Sequence, residues 1–273
     1  MLAFKLSRRR FLALMGAAAL GLAADTSLVE PYLALEVSHL ELHVGVRRAL
    51  RILQVTDLHF GNSLLPFAYE AALSAARSAH PDLVAVTGDL ISKAEGVEAA
   101  ISFIAQLSRL APTYVVPGNW EYWSLGEGVE VEGFLKSLEE AGGAKVLVNE
   151  SDEVGGVDLL GVDDPYLGLD DLDEALRGSR GGVKVLLAHS PQVIGKAEGR
   201  VDVVLAGHTH GGQLHIPFIG PLFVPLPSKY RKYVAGLFEE GGTYVYVCRG
   251  VGMSLAPLRF MCRPEVAIVD LRP

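Results

Sequence analysis

Seven residues with metal-binding side chains follow five apolar segments of the chain. Each apolar segment has the pattern of a buried strand, and its polar residues come where that strand ends. In open α/β sheets, ligands gather beyond the carboxyl ends of the strands, so residues spread over about 150 positions can meet at one site. The seven residues are Asp57, His59, Asp89, Asn119, His189, His208 and His210.

Carboxylate, amide and imidazole groups together form a mixed oxygen and nitrogen ligand set. Such a set suits manganese, iron, zinc or a similar transition metal better than magnesium or calcium. Seven ligands are too many for one tetrahedral zinc, so two metal ions are the economical interpretation. The carboxylate of Asp89 is the candidate bridge between them.

The elements that must position these residues alternate between strands and helices. Strands are predicted at 51–57, 82–89, 113–119, 183–190 and 201–210, with a half-buried strand at 33–44, short strands in 145–162 and a last strand near 266–271. Helices are predicted at 67–79, about 94–109 and 131–140, with a short one before 201–210. Gly241 and Gly242 indicate a hairpin. The stretch 115–123 (VVPGNWEYW) is interpreted as a loop, because Pro117 and Gly118 break it.

The five fragments differ in how specific they are. Gly-His-Thr-His at 207–210 is the strongest, because residues two apart on extended backbone share one side and can present both imidazoles. Asp-x-His at 57–59 and Gly-Asp at 88–89 are weak alone. Together and in this order, the five fragments resemble the calcineurin-like metallophosphoesterases. The stretches LQVTDLHFG, PDLVAVTGDL, LLAHSP and GHTHGGQ most resemble their twin-arginine-exported bacterial phosphodiesterase branch, which is related to enzymes that hydrolyse UDP-2,3-diacylglucosamine.

The resemblance covers most of residues 50–271 and implies the fold and the role of each ligand. The implied fold is α/β (α+β), a four-layer sandwich of two mixed β-sheets face to face with helices outside. A hydroxide held by both metals would attack phosphorus in line. The motifs make Asp57, His59 and His210 ligands of one metal and Asn119, His189 and His208 ligands of the other, with Asp89 bridging; the predicted catalytic residues are Asp89, Asn119 and His208, and Gly88, Gly118 and Gly207 match glycines at tight turns beside the ligands.

One residue departs from the family pattern. Many relatives have histidine after the Gly-Asn pair, usually assigned to protonating the leaving group, and this chain has Trp120. An indole has no usable proton to donate. The enzyme is therefore expected to prefer substrates whose leaving groups depart without protonation, such as aryl oxides or the phosphate side of a pyrophosphate. Alternatively, Glu121 or His215 supplies the proton. Trp120 and Trp123 could also stack on a base or sugar, although packing of the loop is the preferred role for Trp123.

Further substrate contacts are predicted in the C-terminal part. Residues 215–227 (HIPFIGPLFVPLP) are apolar with four prolines, and are interpreted as a stiff loop that packs on its own domain rather than on a lipid or acyl chain. The segment 228–233 (SKYRKY) is locally basic, with a solvated face as its default interpretation. The predicted substrate-binding residues are Trp120, His215 and Arg249.

The chain has 273 residues, half of them hydrophobic, and a formal net charge of −8. No linker or repeat divides it, so residues 25–273 are predicted to form a single domain. An acidic body repels a nucleic-acid backbone, so no nucleic-acid partner is expected. The acidic segment 150–182 is interpreted as solvated surface. Cys248 and Cys262 could form a disulfide, but two separate buried thiols in neighbouring strands are the preferred interpretation.

The N-terminus combines a basic start with residues 11–24, which carry no charged side chain. This run is short for a transmembrane helix and has the length of a signal-peptide core. Residues 1–24 are therefore predicted to be a twin-arginine signal peptide or an N-terminal anchor, with the export machinery as a partner. The expected location is the periplasm, the cell wall or the outer face of the cytoplasmic membrane. The twin-arginine pattern is carried by Ser7, Arg8, Arg9, Phe11 and Leu12.

The predicted function is hydrolysis of a phosphodiester by two divalent transition-metal ions, with manganese favoured over iron or zinc. The expected substrate is a small molecule or a lipid- or wall-linked phosphoester, and membrane or cell-wall association is expected. A second hypothesis is hydrolysis of the pyrophosphate bond in a nucleotide-linked lipid such as UDP-2,3-diacylglucosamine. A hypothesis of another class is a catalytically dead, metal-binding, wall-associated scaffold, and the complete ligand set argues against it.

Overall fold

The computed structural model describes residues 7–62, 66–125, 129–254 and 256–273. Its helices are α1 (Arg8–Ala24), α2 (Glu30–Leu33), α3 (Phe67–Ala79), α4 (Val97–Ser108), α5 (Asn119–Leu125), α6 (Val129–Glu140), α7 (Leu172–Arg177) and α8 (Ile194–Ala197). Its strands are β1 (Glu36–His43), β2 (Leu50–Val55), β3 (Leu83–Thr87), β4 (Thr113–Val116), β5 (Lys145–Val146), β6 (Glu150–Val154), β7 (Val157–Gly161), β8 (Val183–Leu187), β9 (Val203–Ala206), β10 (His215–Ile216), β11 (Gly220–Pro221), β12 (Gly236–Glu240), β13 (Thr243–Val247) and β14 (Glu265–Arg272).

Two mixed six-stranded sheets form the body of the protein. The first has the order β1-β14-β2-β3-β4-β5, and β14 runs antiparallel to β2 while the other neighbours are parallel. The second has the order β12-β13-β9-β8-β7-β6, with parallel pairing at its centre and antiparallel pairing at both edges. The sheets face each other, and helices cover their outer faces. The predicted four-layer α/β sandwich is confirmed.

The hydrophobic core explains why the central strands have continuous apolar sequences. Ile52 and Leu83 of the first sheet pack against Val185 and Leu205 of the second. The opposite face of the first sheet packs on α3, α4 and α6, and that of the second packs on α7 and α8. A strand that is covered on both faces needs an apolar side chain at every position, so the alternation of a half-exposed strand is lost.

Most predicted elements are present, and α5 is the main correction. The helix α3 has the predicted bounds, and the turn at Gly241 and Gly242 joins β12 to β13. Residues from Asn119 onward form α5, so interpreting all of 115–123 as a loop was wrong. Pro117 and Gly118 do end β4, but no helix-breaking residue follows them, and a helix can begin at once.

The acidic segment 150–182 is another correction, because part of it is buried. The side chains of Asp158, Asp163, Asp164 and Asp170 have little contact with solvent. Asp158 accepts hydrogen bonds from Ser179 Oγ at 2.6 Å and from three successive backbone N–H groups of residues 180–182 at 3.0 Å each. The Asp158 carboxylate is therefore the hydrogen-bond acceptor for loop N–H groups that have no backbone partner there.

Replacing Asp158 by asparagine is expected to lower the free energy of unfolding at pH 7 by about 2 kcal/mol, because all four donors share one carboxylate oxygen and a neutral amide oxygen accepts from them more weakly. Burial acts to raise the pKa of Asp158, but these hydrogen bonds outweigh it and hold the pKa below its usual range. The stabilisation is present above the unfolded pKa of about 3.9 and is lost as pH falls through the folded pKa. Urea unfolding at pH 7 and in acid should show the deficit shrinking in acid, whereas exposed Glu150→Gln should show none at either pH.

The N-terminal residues form one long apolar helix, Arg8–Leu33, with a wider turn at Asp25–Val29. The most apolar stretch of 18 residues within it has a mean hydropathy of 1.7, so the helix is long and apolar enough to cross a membrane. Every side chain of α1 is exposed to solvent. The first part of the predicted signal segment, residues 1–6, lies outside the described residues.

Cys248 and Cys262 are buried, free thiols, as the preferred interpretation held. Neither lies inside a strand, since Cys248 follows β13 and Cys262 lies in the loop before β14. The predicted loop 215–227 contains the short antiparallel pair β10 and β11. Its tip does not pack on the domain, because Phe218 and Ile219 are exposed, so that part of the prediction was wrong.

Candidate metal centre

The seven predicted ligands come from the carboxyl ends of five strands in two sheets. Three loops, after β2, β3 and β4, belong to the first sheet, and two, after β8 and β9, belong to the second. Because the sheets pack face to face, their carboxyl ends form one rim, and all seven side chains are buried there. The structure thus brings together Asp57, His59, Asp89, Asn119, His189, His208 and His210.

The ligand atoms form two groups that share the carboxylate of Asp89. Its Oδ2 lies 3.6 Å from Nε2 of His59 and 3.1 Å from Nε2 of His189. Within each group the ligand atoms lie no more than 4.8 Å apart, a spacing that one metal ion can span. One group is Asp57, His59, Asp89 and His210, and the other is Asp89, His189 and His208.

Three imidazoles are oriented by hydrogen bonds on their outer nitrogens. Nδ1 of His59 lies 2.8 Å from Ser92 Oγ, and Nδ1 of His189 lies 2.8 Å from the carbonyl of Thr87. Nε2 of His208 lies 2.9 Å from the carbonyl of Pro225. A backbone carbonyl only accepts, so it fixes the proton on that nitrogen and leaves the inner one free as a metal ligand.

Asn119, the seventh predicted ligand, lies at the same cavity as members of both groups. Its Oδ1 is buried and has no hydrogen-bond donor among the described residues, which costs about 1–3 kcal/mol unless another partner satisfies it. Asn119 lines the same cavity as Asp89 and His208. Oxygen and nitrogen donors in this number and arrangement fit two divalent transition-metal ions.

The backbone at the centre is held in an uncommon conformation. Five of the seven ligands have a left-handed backbone, with φ between 51° for His59 and 73° for His208. A non-glycine residue at positive φ is a local strain of about 1–3 kcal/mol, and such strain clusters at functional sites. Besides His59 and His208, the ligands with this left-handed backbone are Asp57, Asp89 and His210.

Burial controls protonation at the centre. It lowers the pKa of His59 to about 4 and that of His208 to about 3, so both imidazoles are neutral at pH 7 and offer a lone pair. Burial raises the pKa of Asp57 to about 7. Burial would also raise the pKa of Asp89, but neighbouring His189 outweighs it and the pKa falls below its usual range. Divalent cations next to these carboxylates would favour the ionised form of both.

Glu121 holds two of the ligand loops together and does not reach the cavity. Its carboxylate is fully buried and accepts backbone hydrogen bonds from Gly118 at 2.7 Å, Leu90 at 2.6 Å, Asp89 at 3.1 Å and Ile91 at 3.3 Å. The suggestion that Glu121 protonates a leaving group is therefore wrong.

Replacing Glu121 by glutamine is expected to weaken metal binding roughly tenfold or more, because the amide nitrogen cannot accept from the loop that carries Asp89. Competition with a fluorescent chelator would measure the affinity. Exposed Glu130→Gln on α6 is the matched control and should bind metal as the parent chain does. Equal affinities for the two variants would contradict the positioning role.

A row of aromatic rings crosses the mouth of the centre. The His59 ring contacts Trp120 at a centroid distance of 5.4 Å, and Trp120 contacts Trp123 at 5.6 Å. Trp123 in turn contacts Tyr166 at 6.1 Å, and Tyr166 lies 4.6 Å from the ring of His208. The row therefore joins one ligand group to the other. Tyr166 was missed from the sequence because it lies within the acidic segment that was interpreted as surface.

The aromatic row forms one wall of a cavity of about 290 Å³ that opens onto the ligands. The opposite wall is apolar and includes Leu214, Leu222, Phe223 and Pro225. Pockets of this kind bind the apolar part of a ligand, while a few polar groups fix its reacting end. Here the polar groups include four predicted metal ligands, Asp89, Asn119, His208 and His210.

Of the predicted substrate-binding residues, only Trp120 lines this cavity. His215 and Arg249 line a separate cavity, where Nε2 of His215 contacts the carbonyl of Gly211. The Arg249 guanidinium is paired with Glu265 at 2.9 Å and with Glu36 at 3.2 Å. These contacts hold both side chains away from the metal ligands, so neither His215 nor Arg249 is placed to contact a substrate there.

Comparisons with known proteins agree with this geometry. A family model described as calcineurin-like phosphoesterase matches residues 50–212. The chain is 31% identical to the metallophosphoesterase YkuE of Bacillus subtilis over 232 residues, 81% of this chain and 79% of that protein. It is also 31% identical to the phosphodiesterase YaeI of Escherichia coli over 228 residues, 81% of this chain and 82% of that protein.

The fold also matches a solved structure. That of the Thermus thermophilus protein TT1561 superposes with a TM-score of 0.51 at 16% identity, over 75% of this chain and 91% of that one. This likeness supports the fold, while the sequence matches support the chemistry of a metal-dependent phosphoester hydrolase. The chain belongs to the calcineurin-like phosphoesterase family.

Proposed function

We propose that this metallophosphoesterase is a phosphodiesterase with a dinuclear centre, preferably of manganese, that acts on the outer side of the cytoplasmic membrane. The observation that carries the proposal is the pair of ligand groups joined by Asp89 at the floor of an apolar cavity. A phosphomonoester has no second ester group to place there. A diester does, and the aromatic and aliphatic walls suit that second group.

The residues of the chain position the reacting phosphate. When bound, the two cations would activate water and neutralise charge on the phosphoryl oxygens. Asp89, in the loop after β3, and Asn119, at the start of α5, face the cavity, and the hydrogen bonds of His189 and His208 fix their rings. Trp120 lies over His59 and limits the entry of bulk water from that side.

A second candidate function is hydrolysis of the pyrophosphate bond in a nucleotide-linked lipid such as UDP-2,3-diacylglucosamine. The apolar lining of the cavity by Leu214, Leu222 and Phe223 favours it, because acyl chains need such a surface. A pyrophosphate also offers a leaving phosphate that needs no proton, which is compatible with Trp120.

The proposal that the protein is exported is based on its N-terminal helix. We propose that the twin-arginine machinery recognises Ser7, Arg8 and Arg9 and that the apolar helix then acts as a signal or an anchor for a single domain, residues 25–273. The length and mean hydropathy of Arg8–Leu33 support this role. The acidic body supports a partner other than nucleic acid.

The experiment that tests the function compares substrates with the manganese-loaded full chain. We expect turnover of bis(p-nitrophenyl) phosphate to exceed that of p-nitrophenyl phosphate, and a nucleotide-linked lipid in mixed micelles separates the two candidate functions. A folded, metal-loaded chain that hydrolyses none of these esters would instead support a metal-binding scaffold.

Trp120→His is expected to speed hydrolysis of diesters with poor leaving groups by roughly 10²-fold while changing p-nitrophenyl esters little, because imidazole can donate a proton and indole cannot. The measurement is kcat for a series of aryl and alkyl diesters. Trp120→Ala is the companion variant, and its KM should rise because a wall of the cavity is removed. An unchanged dependence on the leaving group in Trp120→His would exclude the missing-acid explanation.

A further inference from the structure

An exposed apolar surface adjoins the cavity. It consists of five residues on and after the β10–β11 turn, here called the hairpin surface: Ile216, Phe218, Ile219, Leu222 and Phe223. Phe218 is 107% exposed at φ 68° and Ile219 is 75% exposed. Leu222 and Phe223 are more than half exposed and also line the cavity. Large apolar side chains grouped in this way mark a surface that another apolar phase covers.

The C-terminal end of the apolar N-terminal helix packs on the body and is hydrogen-bonded to the loop of residues 258–262. The carbonyl of Thr26 accepts from Arg259 N at 3.0 Å. The buried Glu30 carboxylate accepts from Met261 N at 2.8 Å and from Cys262 N. These bonds attach the end of the helix to the catalytic body, although α1 itself has no buried side chain.

The same loop pairs with the segment that carries the hairpin surface. Phe260 N donates to Gln213 O, and His215 N donates to Phe260 O, both at 2.9 Å. Met261, next in the chain, is exposed and apolar. The end of the N-terminal helix and the start of β10 therefore lie on either side of one short loop.

The length of the uncharged helical run and the basic residues near the hairpin surface point to a lipid bilayer as the phase that covers this surface. The whole helix Arg8–Leu33 is long enough to span a bilayer, but its uncharged run 11–24 is only about 21 Å long, whereas a hydrocarbon core is about 30 Å thick. This mismatch draws the attached loop into the headgroup layer. Exposed Lys229 and Arg231 follow the hairpin surface closely and suit anionic headgroups, in a body whose net charge is negative, whereas the neighbouring Lys232 is paired with Glu240.

We propose that the hairpin surface inserts into a lipid bilayer next to the N-terminal helix, so that a lipid-borne phosphodiester enters the metal centre from the membrane through the adjoining cavity. This deepens the proposed function and rests on it for the substrate. The insertion itself rests on the hairpin surface, the loop 258–262 and the short apolar run. Leu222 and Phe223 belong to both surfaces and form the path between them.

The insertion is tested with the full chain reconstituted into vesicles of phosphatidylcholine and phosphatidylglycerol. Both native cysteines are buried, so Phe218→Cys accepts a single environment-sensitive nitrobenzoxadiazole label. We expect a blue-shifted emission that brominated lipids quench. Leu237→Cys, on an exposed apolar residue of β12, is the matched control and should stay in a polar environment. A polar, unquenched label at position 218 would overturn insertion, and self-association of that protein would assign the surface to a second copy of the chain.

A second arm measures turnover with the double variant Phe218→Ser and Ile219→Ser, neither of which lines the cavity. We expect a roughly tenfold or larger loss for a fluorogenic phosphodiester lipid in the vesicles, because two buried apolar side chains are removed from the bilayer contact. Hydrolysis of soluble bis(p-nitrophenyl) phosphate should be unchanged. Equal losses on both substrates would overturn delivery from the membrane. Absence of turnover in the parent chain would refute the proposed function, and insertion would then be tested by the fluorescence of the label at position 218 alone.

Discussion

Replacing Asp89 by alanine is expected to remove phosphodiester hydrolysis and most bound metal together. The two ligand groups share only this carboxylate, so its loss takes one ligand from each. Transition-state stabilisation by the cations is worth several kcal/mol, and the expected fall in kcat is roughly 10³-fold or more. Metal content by mass spectrometry and turnover of bis(p-nitrophenyl) phosphate would be measured on the same preparation.

The matched control is Asp173→Ala, which removes an exposed carboxylate from α7. That variant should keep the metal content and rate of the parent chain. If Asp89→Ala retained two metal ions and a normal rate, the assignment of Asp89 as the bridge would be refuted.

Gly88→Ala is expected to disrupt the centre without removing any ligand. Gly88 has φ 82°, and a Cβ placed there would lie 2.7 Å from Nδ1 of His189 and 2.8 Å from the backbone N of Gly118. Left-handed backbone costs alanine about 1–2 kcal/mol, and the overpacking adds about 1–3 kcal/mol. Thermal unfolding and metal titration should therefore show lower stability and weaker metal binding.

Gly133→Ala is the control for this change, since a Cβ at Gly133 on α6 meets no other atom within 4 Å. It should stabilise the chain by about 0.5–1 kcal/mol through helix propensity. Metal binding as tight in Gly88→Ala as in Gly133→Ala would show that the close packing at Gly88 is dispensable.

The clustering of the candidate metal ligands could be predicted because their signal is local. Each ligand follows an apolar strand within a few residues, and parallel strands bring their carboxyl ends to one edge whatever the rest of the chain does. The pair His208 and His210 was identified correctly as part of the cluster, although the extended backbone assumed for it ends at Ala206 and both residues have positive φ. The same logic predicted α3, whose buried alanines recur with the period of a helix.

What could not be predicted depends on contacts between distant segments. Glu121 is an ordinary acid in the sequence, and its role requires the loop after β3 to arrive beside α5. Asp158 and Tyr166 were assigned to the surface because charge density was taken as exposure, whereas backbone N–H groups without partners can bury a carboxylate. The prediction for the hairpin surface was wrong in the opposite direction, because an apolar segment was expected to pack on the domain and is exposed. An apolar sequence does not show whether protein or another apolar phase covers it.

The most direct test of the central claim is a manganese titration of the metal-free full chain, with bound metal and hydrolysis of bis(p-nitrophenyl) phosphate followed together. Two ligand groups joined by Asp89 predict saturation at two ions per chain, with turnover rising only as the second ion binds. Full turnover at one ion per chain, or in excess chelator, would contradict a dinuclear phosphodiesterase.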